Sequence, residues 1–140
     1  FQSKGDVATY YLKLSDENIK FNKYDADCIK AKLKIEHRIG DSFFHFWTGG
    51  GEQKQEMWIL VETKGKGEDY FEQLEKSLNL FEDAECSVHG RFVGRNVPGI
   101  LTSKNKKELD KLQQKFIKKK GTLRLGNKKL EEILTSISTR

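Results

Sequence analysis

The sequence predicts an α+β domain: a mainly antiparallel sheet of about five to seven strands packed with two or three helices, the last third mostly helical. Period-two apolar alternation dominates the first two thirds, apolar residues at helical spacing recur later, and the length of 140 residues is that of one domain. Phe1-Gln2-Ser3 matches the end of a tobacco etch virus protease site and is set aside as an expression-tag remnant, leaving 4–140 as the domain.

Thr9 to Leu14 places Tyr10, Leu12 and Leu14 on one side, and Ile19 to Tyr24 alternates after a short polar turn, which predicts a hairpin. Cys28 to Glu36 alternates without a break: Ile29, Ala31, Leu33 and Ile35 share one face, and Lys30, Lys32, Lys34 and Glu36 the other. This pattern predicts a strand. Ser42 to Thr48 is β-prone but holds too many aromatics for one buried face, so a second element or a partner must cover part of it. Met57 to Glu62 is a continuous apolar run, as in a central strand buried on both sides.

Phe71, Leu74, Leu78 and Phe81 predict an amphipathic helix over Asp69 to Phe81, and Cys86 to Val93 follows as a strand. A second helix is predicted with Asn105 as its cap and Glu108 returning the bond, a buried stripe of Leu109, Leu112 and Phe116, and Gly121 as a left-handed stop. Thr122 to Leu125 fits a short strand, and Asn127 is placed to cap a final helix burying Leu130, Ile133, Leu134 and Ile137.

Charge is unevenly spread. Residues 1–90 hold 12 Lys and Arg against 17 acids, a balance of −5, whereas 91–140 hold 14 against 4, a balance of +10. Such a division points to an anionic partner, with lysines on solvated helix faces as the bland alternative. No apolar run approaches the length of a transmembrane helix, the longest being Met57 to Val61.

Catalytic and metal constellations are weak. Cys86 and His89 fall on opposite faces of a strand, no serine elbow is present, and no second ligand pair completes a zinc site. Thr48-Gly49-Gly50-Gly51 and Lys64-Gly65-Lys66-Gly67 lack the Walker pattern and are better taken as loops. No cofactor, metal or catalytic residue is expected.

What remains is a basic segment with Arg91, Arg95, Lys104, Lys106 and Lys107, together with Trp47 as a stacking aromatic. Cations that neutralise phosphates and aromatics that stack on bases are the two ingredients of nucleic-acid modules. The expected function is therefore non-enzymatic binding of nucleic acid, RNA more than DNA, within a larger protein. The main alternative is a protein-interaction domain for an acidic partner; a nucleotide or RNA-cap site, with Trp47 and Trp58 sandwiching a base beside Glu52 or Glu56, is a lesser one, and an enzyme another.

Cys28 and Cys86 are expected to be free thiols, which favours an intracellular setting, because a chain of this size needs no staple. Thiol titration of denatured, unreduced protein should find both reactive, and a monomer in which neither reacts would contradict this.

Overall fold

The apolar run Met57 to Val61 lies in β5 (Gln55–Glu62) of a computed structural model that describes residues 2–4, 8–36, 39–63 and 71–137. Strand β5 is internal, with β4 (Ser42–Thr48) antiparallel on one edge and β6 (Ser87–Gly94) parallel on the other, and its hydrophobicity is continuous because Met57, Ile59 and Val61 enter one core while Trp58 and Leu60 enter another. The sheet is completed by β3 (Lys20–Asp25), antiparallel to β4, and β7 (Leu123–Asn127), parallel to β6, giving the order β3-β4-β5-β6-β7. A smaller sheet has the order β1-β2-β8, formed by Gln2–Lys4, Thr9–Leu14 and Lys129–Leu134. The fold is α+β, with β4, β5 and β6 as the internal strands of the larger sheet and β2 as that of the smaller. The pairings are mixed: β2 with β8 is parallel, as are both pairings of β6.

The larger sheet is covered on both faces, and β4 shows how. Phe44 and Phe46 join Tyr10, Leu12, Leu130 and Leu134 in the core between the two sheets. Phe43 points the other way, joining Leu60, Val88 and Phe92 under the helices. The aromatic excess of this strand is thus resolved by two cores rather than by an exposed face.

Helix α2 (Glu72–Asn79) buries Leu74 and Leu78 as its spacing predicts, with Phe71 buried just before it. Residues 64–70, including the Lys64 to Gly67 stretch and the expected start of this helix, lie outside the described residues. A short turn, α3 (Val97–Ile100), precedes α4 (Ser103–Lys118). In α4, Leu112 and Phe116 are buried and Leu109 packs against the same core, as expected.

The cap differs. Thr102 is the N-cap residue and its carbonyl accepts from the Lys106 N–H, while Asn105 is buried inside the first turn. At the other end Lys120, not Gly121, adopts the left-handed conformation, with φ 58°. Gly121 is required for a different reason: a Cβ there would stand 1.8 Å from the Val88 carbonyl oxygen. Gly90 likewise leaves room for the Phe116 ring, 2.4 Å from where a Cβ would be. Helix and strand approach each other through these two missing side chains.

Three further expectations are corrected. Cys28 to Glu36 is not a strand, because Ala26–Leu33 forms helix α1. Its apolar residues serve both periods: Ile29 and Leu33 are four apart as well as two steps of alternation, and Ala, Lys and Leu all favour helix. Only Ala26, Ile29 and the following Ile35 pack against the core, and Leu33 stays 57% exposed. Strands β2 and β3 do not form a hairpin, since β2 pairs with β1 and β8 while β3 pairs with β4.

The third correction is the C-terminal helix, which is the strand β8. Asn127 does cap an element, but through its Oδ1 it accepts the N–H of Val97 at the start of α3, at 3.0 Å. Lys128, with φ 68°, turns the chain from one sheet into the other. Leu130 and Leu134 then face the core with Glu132 between them, a partly buried carboxylate that no amphipathic-helix reading accommodates.

Leu112→Ala removes a side chain that is 1% exposed at the centre of the α4 contact. It should cost about 2–5 kcal/mol in urea unfolding. A midpoint equal to that of the parent would be incompatible with this packing.

Candidate functional site

Helix α4 runs antiparallel to β6, because Lys119 at its end accepts the N–H of Val88 near the start of the strand. Its first turn therefore lies at the end of the sheet where Gly94 and Arg95 emerge. Arg95 directly follows β6, and Lys104, Lys106 and Lys107 lie in the opening turns of α4; all four are exposed. No acidic residue stands in the first turn of α4, whose unsatisfied N–H groups add positive potential. Lys128, exposed and joined through its own N–H to the Gly94 carbonyl at 2.7 Å, stands at the same end and was not singled out by sequence reasoning. Its position depends on the turn between the sheets.

Arg91 does not belong to this set. It is 4% exposed and lies on the face of β6 that looks toward the smaller sheet. Its Nε donates to Glu132 Oε1 at 3.0 Å and its Nη2 to Glu132 Oε2 at 2.8 Å. Its Nη1 donates to the carbonyls of Gly90 and Thr122 at 2.7 and 2.8 Å, and to the Thr122 hydroxyl. With these donors turned inward and the residue 4% exposed, the guanidinium is not presented to a phosphate in solvent.

The Tyr10 hydroxyl donates to the same Glu132 carboxylate, so three strands from two sheets meet at one ionic cluster. Burial, followed by the Glu132 charge, pushes the Tyr10 phenol far above its ordinary range. Burial alone would raise Glu132, but the hydrogen bonds and charge of Arg91, aided by Tyr10, hold it below the usual carboxylate value. His89 flanks the cluster: its Nδ1 accepts from the Thr122 N–H at 3.1 Å and contacts the Thr122 hydroxyl.

Trp47 lies at the opposite end of the sheet. It pairs in register with Glu56, one residue before the Met57 that pairs with Ser87, so the length of β6 separates it from Arg95. That length is about 23 Å. Around Trp47 the structure gathers an aromatic group on the helix-bearing face of the sheet. The His45 ring packs against Trp47 with centroids 5.1 Å apart and stacks on Trp58 at 4.4 Å. Phe81 and Tyr24 also contact Trp58, at 4.8 and 6.0 Å.

The two tryptophans therefore do not form an open sandwich, since His45 lies against both. His45 Nε2 bonds Glu56 Oε2 at 2.8 Å, and this hydrogen bond, with Lys54 nearby, lowers the Glu56 pKa. Glu52 sits apart on the exposed turn Gly51–Gln53. Lys54 lies over the Trp47 ring, 5.9 Å from its centroid, and Lys20 pairs with Trp47 in register. Trp47 is thus a half-buried indole at the rim with cations beside it.

Cys28 and Cys86 are both free, and burial, with the Glu56 charge next, raises the Cys86 thiol. Among the described residues no three His, Cys, Asp or Glu side chains are grouped to hold a metal ion, and no helix is long and apolar enough to cross a membrane. Compared with known proteins, the chain matches no family model, no curated protein and no solved structure.

Burial, then the Arg91 charge, lowers the His89 pKa from 6.5 to about 4. The folded state refuses a proton that the unfolded state accepts, so this contribution is complete above pH 6.5 and is lost as pH falls toward about 4. His89→Gln keeps an acceptor for Thr122 and removes the titration. Urea unfolding across this window should show a shallower loss of stability for the variant than for the parent; parallel curves would mean that His89 titrates alike in both states.

Proposed function

We propose that the protein is a non-enzymatic nucleic-acid-binding module, RNA favoured over DNA. The observation that supports this reading is that Arg95, Lys104, Lys106 and Lys107 are all exposed, the three lysines in the opening turns of a helix without an acidic residue in its first turn. Cations at that spot add to the positive end of the helix dipole, and phosphate is the anion such a surface suits. Removing Arg91 from the interface strengthens the chemical sense of the rest: the buried arginine secures the fold, and the exposed cations are available to a ligand. Trp47 supplies an aromatic edge at the far end, where an unpaired base could stack.

An acidic protein surface would be drawn to the same cations, and salt response separates the two by its origin. Binding of single-stranded RNA, followed by fluorescence anisotropy at several salt concentrations, should weaken steeply as salt rises. In a variant with Arg95, Lys104, Lys106 and Lys107 replaced by Ala, the log-affinity against log-salt slope should shrink by about 0.7 for each lost phosphate contact. Equal slopes in a folded variant would remove these residues from the interface. No binding by the parent at low salt would favour the acidic-protein reading.

A further inference from the structure

The cations of α4 continue well beyond its first turn. Lys104, Lys107, Lys111, Lys115 and Lys118 follow one another at steps of three, four, four and three residues, and all five are exposed. At 100° per residue such steps keep every member within a single stripe, on a different side of the helix from buried Leu112 and Phe116. From first to last the stripe is about 21 Å long, with about 5–6 Å between successive side-chain origins. Lys115 holds Glu75 of α2 at 3.0 Å, so the middle of the stripe runs beside that helix.

The stripe also has a direction. It begins in the first turn of α4 and finishes next to Lys119, whose Nζ donates to the carbonyls of Glu82 and Ala84. That loop follows Phe81, whose ring contacts Trp58 within the aromatic group containing His45 and Trp47. The two halves of the expected site, set a sheet length apart, are therefore joined by a row of lysines.

Building on the nucleic-acid reading, we propose that the ligand is an extended single strand whose phosphodiester backbone follows α4 along Lys104, Lys107, Lys111 and Lys118 toward the aromatic end. A strand carries one phosphate on every nucleotide, and a repeating row of cations suits a repeating row of anions. An acidic polypeptide is the rival ligand for such a row, and it would have no use for the aromatic end. A duplex would satisfy the charges too, but its stacked bases could not reach an aromatic side chain at the end of the row.

The experiment uses oligouridylates of increasing length, a duplex of matched length and polyglutamate, each tested against the parent and a Lys111→Gln, Lys118→Gln variant by anisotropy. Circular dichroism melts establish that the variant is folded. In the parent, affinity should climb with oligouridylate length until the strand spans the stripe, and then level off. In the variant it should level off at a shorter length, with the salt slope reduced by about 0.7 per lysine. The duplex should bind more weakly than the single strand.

If the parent binds but affinity ignores length, or the variant behaves as the parent does, the track is wrong and the basic end alone carries binding. Stronger binding to duplex or to polyglutamate overturns the single-strand ligand. If the parent binds no nucleic acid at all, the underlying functional reading falls with it.

Discussion

The cluster of Arg91, Glu132 and Tyr10 is the constraint on which the two-sheet arrangement depends. Glu132 arrives on β8, Arg91 on β6 and Tyr10 on β2, so the carboxylate is held from both sheets at once. A buried carboxylate is unfavourable unless it is paired and hydrogen-bonded, and here its oxygens meet a guanidinium in fork geometry and a phenol. Deleting one partner would strand the others in a dry setting. The pairing also specifies register: slipping β8 by one residue would turn Glu132 outward and bring Glu131 or Ile133 inward.

The same cluster explains where the sequence was misleading. Lys129 to Leu134 carries leucines and an isoleucine whose spacing fits a helix, and the signal that decides for a strand is the burial of Glu132. That burial depends on Arg91, 41 residues earlier, and local periodicity cannot register so distant a partner. Cys28 to Glu36 failed for a related reason, since its residues satisfy two periods and the helix that forms buries none of them fully. The legible elements were those with one-sided or continuous patterns and no competing partner, such as β4, β5 and the buried stripe of α4.

For the candidate site, sequence located the basic region but not which cations are spare. Arg91 and Arg95 stand four residues apart in similar local contexts; one is interior and bonded on every side, the other exposed. Their parity is the same, so the physical distinction is that β6 ends at Gly94: Arg91 lies within the face that the smaller sheet covers, and Arg95 lies beyond it. The aromatic group was legible as composition only. Its geometry comes from cross-strand register, which places His45 opposite Trp58 and Glu56 opposite Trp47.

Strand β3 forms one border of the larger sheet, and beyond it there is no further strand in that sheet's order. A border of this kind presents backbone donors and acceptors that another chain could extend. Here it carries Lys20 and Lys23, both exposed, in a six-residue strand with no fully buried side chain. Two such borders paired parallel and in register would set Lys20 against Lys20 and Lys23 against Lys23, so the lysines act as a deterrent to that mode of self-assembly. This guard against edge-to-edge pairing rests on the least buried strand of the sheet, and it would weaken as salt screens those charges.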